Sequence, residues 1–200
     1  MRRLLVLTLL SAAAACSDAT APVEQLPDLH GDGTMRWANV GKVCDPSTPA
    51  VPLTAEQRAS VPGSSSSSDY MLAELTRDVT GGFGGIMVPD GVWTMYLVNP
   101  AMRDEATTEL LALGAIPQAP QVVLKGRWSF AEMFDWKRYL AANVEWPEGF
   151  ASADVQEAQN RIEYGVYNEA ARAELEAELT ALDVPCYLVA IGISPPIQFL

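Results

Sequence analysis

Histidine, cysteine and the carboxylates are the residues through which this chain could do chemistry. The single histidine, His30, stands in a Pro-, Gly- and acid-rich run without hydrophobic period. A serine or cysteine nucleophile needs a base beside it, so a histidine-dependent triad is not expected. The three cysteines are Cys16, Cys44 and Cys186. Cys44, Cys186 and His30 together fall short of the four ligands of a structural zinc site, so neither a metal nor any other cofactor is expected. Glu145 and Glu148 flank a Trp-Pro pair, and Asp154 and Glu157 lie close in sequence; either pair could act as acid and base in a hydrolysis. Acidic residues number 25 in 200, so such spacings arise without function and no catalytic residue is assigned. The cluster Gly81-Gly82-Phe83-Gly84-Gly85 lacks the Lys-Ser/Thr ending of a phosphate loop and leads into a strand. It reads as a backbone bend or bulge.

The elements around these residues follow a regular order. Residues 83–88 and 92–98 are two β-rich runs separated by the turn Pro89-Asp90-Gly91, a hairpin signature. Asn99-Pro100 then caps a helix that Gly114 stops. Residues 121–125 read as a third strand. Ser129-Phe130-Ala131-Glu132 is a capping box opening a second helix through Leu140, with Phe130, Met133, Phe134, Trp136, Lys137 and Leu140 at helical spacing. That stripe reads as core. The same order returns: strands at 152–156 and 162–167 around a turn containing Asn160, then a helix capped by Asn168, then a last strand over 186–193. In the last helix Ala171, Leu175, Leu179 and Leu182 form the buried face, and Arg172, Glu174, Glu176 and Glu178 the wet one. The expected fold class is therefore α+β: two strand-strand-helix-strand units joined by a helix, with small antiparallel or mixed sheets and helices on one face. The repetition suggests an internal duplication.

Before residue 70 the signals are sparser. Residues 16–33 read as a tether, and residues 34–69 as an N-terminal arm and Ser/Pro-rich linker, with a short strand in 34–44 and a helical turn at 54–59. The α+β domain spans 70–193, with candidate halves 70–142 and 150–193, and residues 194–200 form a C-terminal tail. Arg2-Arg3, the apolar run Leu4–Leu10 and the small residues Ser11–Ala15 have the order of a secretory signal peptide, residues 1–15. Because the small residues end in Cys16, the stretch resembles a bacterial lipoprotein signal, which implies lipidation of Cys16 and a membrane contact through that lipid alone. The alternative is ordinary cleavage beside the same alanines and a secreted protein. Either outcome places the domain outside the cytoplasm, where a disulfide between Cys44 and Cys186 is the natural pairing and two separate buried thiols the alternative. Loss of Arg2 and Arg3 takes the 13 basic residues to 11 against 25 acidic ones, a formal charge of −14. Phosphate binding needs a basic surface, so nucleic acid is not an expected partner.

One wider likeness rests on the order of several short motifs. Residues 82–99, with Phe-Gly-Gly entering a hairpin whose second strand is Trp93–Val98, are followed by Leu113-Gly114-Ala115, Ser129-Phe130-Ala131-Glu132 and Asn160-Arg161-Ile162. In this order the stretch 80–193 resembles the prodomains that precede alpha-lytic protease and the streptogrisins. That resemblance implies a non-enzymatic protein-binding module, one that in the family helps a serine peptidase fold, inhibits it and presents its C-terminal tail to the active site. Here the chain stops at Leu200 with no protease after it, so the expected role is that of a separate inhibitor or chaperone of an extracytoplasmic peptidase. The tail Ile197-Gln198-Phe199-Leu200, after the strand-blocking Pro195-Pro196, is the candidate contact; its alternative is packing back on the domain. A structural envelope lipoprotein is the competing function, and a carboxylate-dependent hydrolase a distant third.

Overall fold

The computed structural model describes residues 35–38, 42–61 and 66–194. The fold is α+β, with seven strands and five α-helices among these residues. The strands are β1 (Met35–Trp37), β2 (Phe83–Met87), β3 (Thr94–Leu97), β4 (Val122–Lys125), β5 (Phe150–Gln156), β6 (Arg161–Val166) and β7 (Val189–Ile193). The helices are α1 (Ala55–Ala59), α2 (Ser68–Thr76), α3 (Arg103–Leu113), α4 (Phe130–Asn143) and α5 (Glu169–Ala181). One sheet runs β2-β3-β4 and the other β1-β7-β6-β5. In each, an antiparallel hairpin is followed by a helix that returns the chain to a strand parallel to the hairpin's second member. A parallel partner requires such a crossover, whereas a hairpin needs only a turn.

The two units repeat in detail. Each hairpin carries its register shift at the same place, between Phe83 and Gly85 and between Phe150 and Ser152. An asparagine then caps the next helical segment: Asn99 accepts from the Ala101 N–H at 3.3 Å and Asn168 from the Ala171 N–H at 2.9 Å. Glu-Leu-Leu-Ala-Leu-Gly over 109–114 answers Glu-Leu-Thr-Ala-Leu-Asp over 178–183, each ending on a left-handed residue, Gly114 at φ 70° and Asp183 at φ 55°. Glycine meets that conformation without steric cost. The glutamate opening each block also does the same work: Glu109 accepts from the Thr80 N–H at 2.8 Å and Glu178 from the Glu145 N–H at 3.3 Å. Both donors belong to the segment leading into the unit's first strand. Val79 and Val144, which precede them, are both buried.

Helix α4 holds the units together. Its capping box is complete, Ser129 accepting from the Glu132 N–H at 3.2 Å while Glu132 accepts from the Ser129 N–H at 3.0 Å. It packs on α2, β2, β5 and β6, with Phe130, Met133, Phe134, Trp136 and Leu140 buried. Lys137 lies at the stripe's edge, 3.6 Å from Asp69. Helix α5 covers β6 and β7, whose Ile162, Tyr164, Val166, Val189 and Ile191 face the core. At the seam, Asn160 stands at φ 51° with its side chain buried. Its Oδ1 accepts from the Arg127 and Trp128 N–H groups at 2.7 and 2.9 Å, and its Nδ2 donates to the Gly84 and Trp128 carbonyls at 3.1 and 2.7 Å.

Several boundaries differ from the sequence reading. The last strand begins at Val189, because Pro185 and the turn through Tyr187, at φ 60°, occupy the preceding residues. The serine-rich run supplies structure: Ser67 accepts from the Tyr70 N–H at 3.2 Å and caps α2, so the compact region starts before residue 70. The arm is also integral to the fold, with β1 forming an edge of the four-stranded sheet and Leu53 buried. Arg172, placed by its spacing on the wet face of α5, is buried instead, with Nη1 3.6 Å from Glu169 one turn earlier. A long side chain can bury its stem while its charge reaches a carboxylate.

Candidate interaction surfaces

Cys44 and Cys186 form the predicted disulfide, with Cα atoms 5.6 Å apart and a sequence separation of 142. The bond sits in a belt of contacts that holds the arm. Tyr187 Oη donates to the Cys44 carbonyl at 2.9 Å, and the Tyr187 ring meets Trp37 edge-on at 5.6 Å. Arg127 lies over the other side of this belt, 5.3 Å from the Tyr187 ring, and donates to the Pro46 and Thr48 carbonyls. Trp136 Nε1 donates to the Val51 carbonyl at 3.1 Å. A disulfide of this kind belongs to an oxidising, extracytoplasmic environment. No helix among the described residues is long and apolar enough to cross a membrane. Cys16, His30 and the tail residues Ile197, Gln198, Phe199 and Leu200 lie outside the described residues. The last strand, β7, ends at Ile193, and the N–H of the next residue, Ser194, donates to the Val166 carbonyl at 2.8 Å.

The two carboxylate pairs singled out in the sequence stand in different settings. Glu145 and Glu148 are both exposed beside Trp146. Asp154 is exposed on β5, opposite Glu163, and Glu157 is half-buried in the turn that follows. Burial pushes the Glu157 carboxyl above its ordinary value, and the charges of Asp154 and Asp69 push the same way while Lys137 opposes them. No three His, Cys, Asp or Glu side chains among the described residues are grouped to hold a metal ion. Arg161, wholly buried, donates from Nε and Nη2 to one oxygen of Glu163 at 2.9 and 2.6 Å and lies 5.4 Å from the Trp37 ring. This pair anchors the arm to the outer face of the sheet.

Among the described residues, three depressions stand out. One, of about 620 Å³, lies between the arm at Pro46–Ala50 and the turn Lys125-Gly126-Arg127. A second, of about 610 Å³, is strongly charged. There Arg77 donates to both oxygens of Asp135 at 2.7 and 3.0 Å and to Glu74 at 2.6 Å, and these acceptors hold its guanidinium well above the ordinary arginine range. The third is a groove of about 400 Å³ between α2 and the end of α3, lined by Leu75, Val79, Ala112 and Leu113 with Glu74, Asp78 and Glu109 beside them. The Thr80 N–H and hydroxyl bind Glu109 and hold its carboxyl below the ordinary range. None of these three surfaces was assigned from sequence. The spacing of Met71 and Leu75 was a usable signal for the third, because residues four apart share a helix face.

No family model matches the chain, and no curated protein or solved structure does either.

Proposed function

We propose that this chain is a non-enzymatic, envelope-attached lipoprotein, anchored through Cys16, whose α+β domain binds another protein: a separate extracytoplasmic serine peptidase that it inhibits or helps to fold. The observation that carries the reading is where the motifs of the prodomain resemblance stand. Residues 82–99 are the bulged hairpin β2-β3, Gly114 is the left-handed end of α3, Ser129 and Glu132 are the capping box of α4, and Asn160 is the seam residue. These are joints at which backbone geometry restricts the residue type, so a shared order of them supports a shared scaffold. The peptidase partner rests on the resemblance alone. In this reading the apolar tail Ile197–Leu200 binds as an added strand in the peptidase cleft.

The test is a pull-down with a soluble form starting at Asp18, against secreted and envelope extract of the source cells, beside a form lacking Ile197–Leu200. Retention of a serine peptidase whose activity falls on binding, and its loss with the tail, is the expected result. Retention of nothing, or of one non-peptidase partner by both forms, overturns the peptidase reading and leaves a structural envelope lipoprotein. For the lipid, mass measurement of the mature N-terminus should find acyl chains on Cys16.

A further inference from the structure

We infer a docking site for a basic, amphipathic segment of a partner protein in the groove between α2 and α3. The groove's lining shares no residue with the C-terminal tail on which the peptidase reading rests. Its floor is apolar: Leu75 stands on the last turn of α2, Val79 just beyond that helix, and Ala112 and Leu113 at the end of α3. Val79 is 6% exposed, Leu75 41% and Leu113 44%, and Met71, one turn before Leu75 on α2, is 60% exposed. Leucines with this much exposure, converging on one depression, mark an interaction site more often than scattered apolar residues do.

The repeat shows that this exposure is not a requirement of the fold. Val79 and Val144 occupy matching positions before the tethered residues Thr80 and Glu145, and the leucine four residues earlier is Leu75 in one unit and Leu140 in the other. Leu140 is wholly buried by its own chain, whereas Leu75 is open. Among the described residues, one unit thus covers this position and the other leaves it exposed.

Charge selects the occupant. Glu74, Asp78 and Glu109 line the groove, and among the described residues no basic one does. Thr80 holds the Glu109 carboxyl below its ordinary range, and Arg77, which adjoins the groove, directs its guanidinium to Glu74 and Asp135. A second copy of a chain of formal charge −12 would bring like charge to this rim, and Ile197–Leu200 contains no cation to meet it. A segment that inserts a leucine or phenylalanine between Leu75 and Leu113 and sets Lys or Arg against the three carboxylates satisfies both features.

The probe is a fluorescein-labelled amphipathic peptide of leucine and lysine, with leucines at helical spacing, titrated with the full chain and read by anisotropy. Binding is expected to weaken about tenfold or more in Leu75→Glu and in Leu113→Glu, and severalfold in Asp78→Asn with a shallower salt dependence. Leu75 and Leu113 are exposed, so far-UV circular dichroism should be unchanged, and Asp78→Asn tests the site without touching its apolar floor. Amide shifts on adding peptide should centre on 71–79 and 109–113. Equal binding of a leucine-glutamate peptide, equal binding of a lysine peptide lacking leucine, or indifference to both leucine variants overturns the proposal. So does markedly tighter binding by a chain lacking Ile197–Leu200, which would make the tail the occupant. Loss of peptidase retention with the tail, beside unchanged peptide binding, separates this site from that of the peptidase reading.

Discussion

Replacing Asn160 with alanine removes four hydrogen bonds from a side chain that is 6% exposed. It leaves the Arg127 and Trp128 N–H groups and two carbonyls without their partner, at a cost of about 3 to 5 kcal/mol, since each stranded buried polar group costs on the order of 1 to 3. Part of the loss is backbone strain, because alanine holds a φ near 51° poorly. Asn160→Gly removes the same bonds without that strain and should be about 1 kcal/mol less destabilising than Asn160→Ala. Urea unfolding checks both: the midpoint should fall in that order with the slope unchanged. From sequence, Asn160 was legible as a turn residue and no more. Its bonds reach Gly84 and Trp128, 76 and 32 residues away, and local pattern carries no record of such partners. Arg172 was misplaced for a related reason. Helical spacing gives its angular position on α5, whereas its burial depends on how a long side chain crosses the neighbouring surface.

At the scale of elements, the arm from β1 to α1 depends on the disulfide and on contacts spread over three other elements. Cys44→Ser with Cys186→Ser should lower stability by roughly 4 to 5 kcal/mol by the chain-entropy account of so long a loop, with measured values often smaller. The expected readout is a lower urea midpoint in the double variant and the same shift in the native protein after reduction. The bond and the arm strand were both legible in the sequence, the first from compartment and parity, the second from a short β-rich run. The pairing of β1 with β7 was not, because the apolar pattern of a three-residue strand does not identify its neighbour. The hairpins, α3, α4 and α5 were legible because caps, stop residues and hydrophobic period agreed at each. Helix α2 went unread where they conflicted. Its cap, Ser67, belongs to a serine run whose composition signals a linker, although Met71 and Leu75 stand four apart on one helix face. The groove stayed hidden with that helix.

For the whole molecule, the repeated units share one core, with α2 against α4 and α4 against β2, β5 and β6. Neither unit closes without α4, so unfolding followed by far-UV circular dichroism and by tryptophan fluorescence should give one coincident transition. Two separated transitions would show instead that the units are independent domains. The order of elements in both units was readable in advance, since it follows from local signals. The matching bulges and glutamate tethers were not, because each is defined by partners distant in sequence. The acidic composition was equally plain, but only the fold shows where three of those carboxylates gather around apolar side chains.

The pairing of β1 with β7 also sets a schedule. A chain that emerges from its amino end exposes residues 35–37 long before residues 189–193 exist to receive them, and Cys44 must wait through 142 positions for Cys186. The edge of the larger sheet is therefore the last part to close, after both hairpins and their crossover helices can already have formed from neighbouring sequence. Until then the bare side of β7 and an unpaired thiol are together open to other molecules. Completing the ring between the two ends of the domain removes both hazards in a single event.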